Sequence, residues 1–195
     1  NPHSHGVFCG HPEKTNFITT TDLQNPEELT KLFTTVKPPL IITPLKGYEL
    51  EYIIQEANKH SINLHVIITD INNTLPLIKE KKKTSKNITA SILCPLLLDI
   101  APNKLLSYIE DKTIDCISAG ESQLDMLIPL TFTILKPHLS WIKITELLST
   151  IPQKICNNQL SPIAVNQDSK ITVLSPSKSD TITDYDSLYT VQTYI

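Results

Sequence analysis

From about Pro38 onward the chain repeats one unit: a short run of β-branched apolar residues, then a stretch whose apolar positions recur at helical spacing. That alternation is the pattern of parallel β/α architecture. Leu40 to Thr43 predicts a buried strand, and Tyr48 to Lys59, with Leu50, Ile53, Ile54 and Ala57 on one face, predicts the helix after it. Asn63 to Thr69 predicts a second strand, followed by a helix over Asn72 to Lys83 carrying Leu75, Leu77 and Ile78. A third strand, Asn87 to Leu93, must stop at Cys94-Pro95, because proline has no N–H for a sheet ladder. Thr113 to Ala119 predicts a fourth. Leu124 to Leu135 and Ile142 to Ser149 then predict two helices, with Pro129 expected to bend or begin a helix and not to sit inside one.

Upstream, Pro26 to Phe33 carries helix-start signals: Asn25 as cap, proline in the first turn, and Glu27 and Glu28 against the helix dipole. The tail predicts two short strands, Ile163 to Asn166 and Lys170 to Leu174, and then a poorly ordered polar run from Ser175 to Asp186.

Composition narrows the classes of function. A length of 195 residues with 40% hydrophobic and 19% charged side chains predicts a folded domain, divided here into a β/α unit over 1–158 and a C-terminal β segment and tail over 159–195. The net charge of -3 offers no broad positive field, so no nucleic-acid partner is expected. Within the basic run Lys79 to Lys86, Lys81, Lys82 and Lys83 are expected to be the solvated end of a helix, with a phosphate-binding patch as the alternative. No apolar run reaches the ~20 residues of a membrane span, and the opening Asn-Pro-His-Ser-His has no signal-peptide pattern; both point to the cytoplasm. Cys9, Cys94, Cys116 and Cys156 are scattered without a CxxC pair, as expected of reduced thiols. With four glycines the chain has no GxGxxG or Walker loop.

His3-Ser4-His5 places two imidazoles on one face of an extended segment, as two ligands of one metal require; chance alternation is the ordinary reading. His65, inside an apolar strand, is either a ligand at a barrel mouth or a core histidine satisfied by hydrogen bonds. His11, His60 and His138 have surface surroundings, and Asp70, Asp99, Asp115 and Glu121 are isolated acids expected to act as caps or loop residues.

The order and wording of several segments resemble the dihydroorotases of the amidohydrolase superfamily. Asn1-Pro2-His3-Ser4-His5-Gly6 and then Glu13 to Phe17 resemble that family's DPHxH opening and later KEDF-like stretch. His60 to Val66 with Leu75 to Lys79 resembles the strand and helix around a metal-binding histidine, and Asn87 to Leu98 is similar to "VTxEVxPHHLxL". Thr113 to Glu121 resembles "IDxxASDHAPH", while Met126 to Leu130 and Leu147 to Ile155 resemble "MLPLLL" and "LLSxNPAKIF". The resemblance implies a TIM-type (β/α) barrel, here reduced or incomplete at 195 residues against the ~250 typical of the fold, with Ile163 to Leu174 as the remnant of a small β domain.

The departures imply a silent site. The resemblance puts Gly120 where the catalytic aspartate would stand, Ile68 and Thr43 where metal-binding histidines would stand, Leu96 and Leu97 in place of the paired histidines, and Val7 in place of the substrate-binding arginine. Only His3 and His5 remain of the metal motif, and two imidazoles fall short of the three or four ligands of a catalytic zinc, so no cofactor is expected. The preferred expectation is a non-catalytic dihydroorotase homologue of pyrimidine biosynthesis acting as structural partner of aspartate transcarbamoylase, whose assembly such inactive chains support. A partner or an oligomer would also cover the sheet edges of a partial barrel. The alternative is a divergent zinc-dependent cyclic amide hydrolase using His3, His5 and His65, with Asp115, Asp99 or Glu121 as a displaced base.

Overall fold

A computed structural model describes residues 6–8, 18–20, 31–44, 47–120, 124–156, 171–176 and 188–194. Six strands lie in sequence order in one sheet: β1 (Gly6–Phe8), β2 (Ile18–Thr20), β3 (Leu40–Thr43), β4 (Asn63–Ile68), β5 (Ile88–Leu93) and β6 (Cys116–Ser118). β1 runs antiparallel to β2, and every pairing from β2 to β6 is parallel. The helices that follow the strands are α1 (Gly47–Lys59), α2 (Thr74–Lys81), α3 (Pro102–Glu110) and α4 (Leu124–Leu135), then the short α5 (Trp141–Thr145) and α6 (Ile151–Ile155). A separate antiparallel pair, β7 (Ile171–Pro176) and β8 (Leu188–Tyr194), forms a second sheet.

Strand register and the two-residue period of a strand sort the side chains into two faces. The rows Ile41–Leu64–Ile88, Thr43–Val66–Ala90 and Ile68–Ile92–Ile117 share one face and are all buried. Leu50, Ile53, Ile54 and Ala57 of α1, Leu75 and Ile78 of α2, and Leu105 and Ile109 of α3 belong to the same core cluster, so the helices cover this face. Each fully buried Leu or Ile there contributes roughly 1.5–3 kcal/mol of transfer free energy. The other face carries Ile42, His65, Ile67, Thr89, Ser91, Leu93, Cys116 and Ser118, and it is mixed in polarity and partly open. Among the described residues β1 and β6 stand at opposite ends of the strand order and do not pair with each other. The architecture is α/β, consistent with part of a TIM-type fold. Among the described residues no helix is long and apolar enough to cross a membrane.

Several elements differ from the sequence expectation. Pro129 sits inside α4, which continues unbroken to Leu135. The missing N–H removes one helical bond, and the burial of Leu130, Phe132 and Leu135 offsets it. The second predicted helix begins at Trp141, capped by the Ser140 hydroxyl accepting from the Lys143 N–H at 3.2 Å, and widens into a π-type turn over Glu146–Thr150 before α6. The third strand ends where expected, and Cys94–Asp99 tightens into a 3-10 turn. β7 pairs with Leu188–Tyr194, a strand the sequence reading did not include; Ile163 to Asn166 lies outside the described residues, as do Asn25 to Thr30 of the predicted upstream helix.

Candidate functional site

The open face carries one continuous polar network. His65 Nδ1 is 2.9 Å from Thr89 Oγ1, His65 Nε2 is 3.0 Å from Ser91 Oγ, and the Ser118 hydroxyl donates to Ser91 Oγ at 2.9 Å. Thr89 Oγ1 in turn lies 3.5 Å from the Leu64 carbonyl. One proton arrangement satisfies every donor: Ser118 to Ser91, Ser91 to His65 Nε2, His65 Nδ1–H to Thr89, and Thr89 to the carbonyl. Parallel pairing builds the set, because the registers His65↔Thr89 and Ser91↔Cys116 bring three strands' polar side chains to one face. Burial, followed by the positive charge of Lys82, pushes the His65 pKa from 6.5 down to about 4. The ring is a neutral imidazole with both nitrogens engaged, a satisfied buried histidine and not a free ligand.

At the C-terminal ends of β4 and β5, where open α/β sheets commonly place their sites, lies a cavity of about 410 Å³ lined by Thr69, Asp70, Ile71, Asn72, Leu96 and Asp99. Asp70 is committed to structure: its carboxylate accepts from the backbone N–H of Asn72 at 2.9 Å, that of Asn73 at 3.3 Å and Asn73 Nδ2 at 2.7 Å. These bonds hold the chain's entry into α2, where Thr74 N bonds back to the Asp70 carbonyl. Asp99 is exposed on the cavity's rim. The cavity is therefore lined by two acids, one hydroxyl, one amide and the apolar Ile71 and Leu96, with no basic side chain in its lining.

Asp115 stands at the opposite end of the sheet, just before β6. It accepts from the Ala90 N–H at 2.7 Å and from Lys82 Nζ at 2.5 Å, and Lys82 also donates to the Lys112 carbonyl. The side chains of this pair are 15% and 16% exposed, so Lys82 belongs to a half-buried lock between α2, β5 and β6 and is not part of a solvated helix end; Lys83 is exposed, as expected. Cys116, beside it, has its thiol pushed up to about 12 by burial first and then by the charge of Asp115, which leaves it unreactive.

The candidate residues among those described are thus dispersed. Asp99 and Leu96 line the mouth cavity, Asp115 lies at the far end of the strands, and His65 sits between them on the open face. Gly120 follows β6 by two residues, at its C-terminal end. Thr43 and Ile68 lie on the helix-covered face, fully buried, and the Thr43 hydroxyl has no hydrogen-bond partner among the described residues. Leu97 is buried as well. His3, His5 and Glu121 lie outside the described residues, and Val7 lies in β1. Tested as a donor set for zinc, the described residues do not fit. His65 would have to give up a hydroxyl, Asp70 its backbone bonds, and Leu96, Leu97 and Ile68 have no donor atoms. The sequence reading missed Thr89, Ser91 and Ser118. Their signal was the polar residue at every second position of Ile88-Thr89-Ala90-Ser91-Ile92, matched to His65 on the neighbouring strand.

No protein-family model matches the chain, and no curated protein sequence matches it. Among solved structures, the inactive dihydroorotase-like domain of the Chaetomium thermophilum CAD-like multifunctional protein is similar, with a TM-score of 0.61 and 15% sequence identity over 93% of this chain and 66% of that one. The chain spans slightly less than two thirds of that protein's chain, and at this identity the likeness is one of fold. The α/β fold of this chain is similar to that of an inactive dihydroorotase-like domain.

Proposed function

We propose that this chain is a non-catalytic dihydroorotase homologue that serves as a structural partner of aspartate transcarbamoylase in pyrimidine biosynthesis. The observation that carries the reading is the state of His65: the histidine on the open sheet face is spent on Thr89 and Ser91, with its pKa lowered to about 4. An imidazole so engaged is a poor base near neutral pH and has no nitrogen left for a metal. The fold likeness to an inactive domain of a CAD-like multifunctional protein supports both the family and the lack of catalysis. The acid-lined mouth cavity supports it too, since Asp70 and Asp99 repel the carboxylates of dihydroorotate and carbamoyl aspartate. In this reading the open face and β6, which is an edge strand among the described residues, are surfaces that a partner covers.

The catalytic side of the proposal is tested by assaying ring opening of dihydroorotate, and its reverse, on protein incubated with zinc. The expected result is no turnover above a zinc-only control. Turnover that disappears in His3→Ala or His5→Ala would establish instead a divergent hydrolase using the N-terminal HxH pair.

A further inference from the structure

At the end of the sheet opposite the mouth, a cavity of about 300 Å³ opens between the C-terminal end of α2 and the loop joining α3 to β6. Its lining is Lys79, Lys82, Lys83, Asp111 and Thr113. We propose that this cavity is an anion site for a phosphoryl dianion, separate from the mouth and independent of the proposed assembly role.

Charge balance is the first argument. Three ammonium groups face one lining carboxylate, and the balance stays positive when Asp115, bonded to Lys82, is added. In the flanking run Lys79 to Lys86, Lys81 is paired with Glu51 at 3.2 Å and with Glu80, while Lys83 and Lys86 have no carboxylate partner among the described residues and extend the same field.

Preorganisation is the second. Lys79 Nζ is held 2.7 Å from Asp111, and Asp111 is itself anchored by the N–H of Thr113 at 2.9 Å and its hydroxyl at 2.6 Å. Lys82 is fixed by Asp115 and the Lys112 carbonyl. Two ammonium groups are thus positioned before any ligand arrives. Lys83 is exposed and has no carboxylate partner among the described residues. Helix-dipole complementarity explains lysines in the last turn of α2, but it does not explain their convergence with the neighbouring loop on one open, ligand-sized depression. All 17 basic residues of the chain are lysines, so anion recognition here works through convergent point charges and not through the planar fork of arginine. Point charges suit a compact, highly charged tetrahedral group better than a flat carboxylate.

The test is isothermal titration of the full chain with inorganic phosphate, and separately with glycerol phosphate, at pH 8 and constant ionic strength. Saturable binding of either ligand at one site is expected, and the pair distinguishes a site closed around the free ion from one open to phosphorylated molecules. Lys83→Gln, which removes an exposed side chain without a partner, should weaken binding roughly fivefold, the effect of one partly exposed charge contact. Lys154→Gln on α6 should leave binding unchanged. The proposal is overturned if neither ligand binds saturably, or if Lys83→Gln and Lys154→Gln bind equally well.

Discussion

At the residue scale, His65 couples the open face to pH. Its folded pKa of about 4 lies below the ordinary 6.5, so the unfolded chain binds the proton first as pH falls. Stability is therefore unaffected by this group above pH 6.5 and is lost through the window from 6.5 down to about 4, at about 1.4 kcal/mol per pH unit for one proton. Urea midpoints measured between pH 7.5 and 4.5 should show this slope, and His65→Gln should remove it. An unchanged slope in that variant would mean the proton is taken up elsewhere. A second contrast concerns lysine–aspartate pairs at different depths. Asp115→Ala leaves the half-buried Lys82 ammonium with the Lys112 carbonyl but without its counter-charge, and the Ala90 N–H without its carboxylate acceptor, and denaturant titration should show a loss of about 2–4 kcal/mol. Lys79→Gln breaks a pair whose side chains are 44% and 36% exposed and should cost less than about 1 kcal/mol.

At the element scale, α4 tolerates a proline because its apolar residues are anchored, so the missing helical bond remains a recoverable loss. Pro129→Ala should stabilise the protein by about 1 kcal/mol or more, read as a higher denaturant midpoint, whereas destabilisation would mean the ring itself fills a needed volume in the core. The elements legible in the sequence were those with a dense signal. β3, β4 and β5 are runs of β-branched residues buried at nearly every position on the helix side, and α1 carries four core residues on one face. α3 was not legible. Its Pro102 start signal was there, but only Leu105 and Ile109 are buried along nine residues, too few to show a period. β1 and β2 are three residues each, shorter than any periodicity can reveal. β8, Leu188 to Tyr194, is rich in aromatic and β-branched residues and was readable in principle, but the polar run before it hid its pairing with β7. The site was the least legible part. That His65 meets Thr89 and Ser91 depends on the register between β4 and β5, which is a property of the pair and of neither strand alone.

At the scale of the whole molecule, five parallel-paired strands with helices on one face leave the other face partly open and, among the described residues, β6 as an edge. Such a sheet is stabilised when something covers it, and under the proposed function aspartate transcarbamoylase is that cover. The most direct measurement is light scattering after size-exclusion chromatography of this chain, alone and mixed with aspartate transcarbamoylase from the same source. A stable mixed species whose mass equals a whole-number combination of the two chains is expected. Two separate peaks at micromolar concentrations, with the chain well behaved by itself, would contradict it.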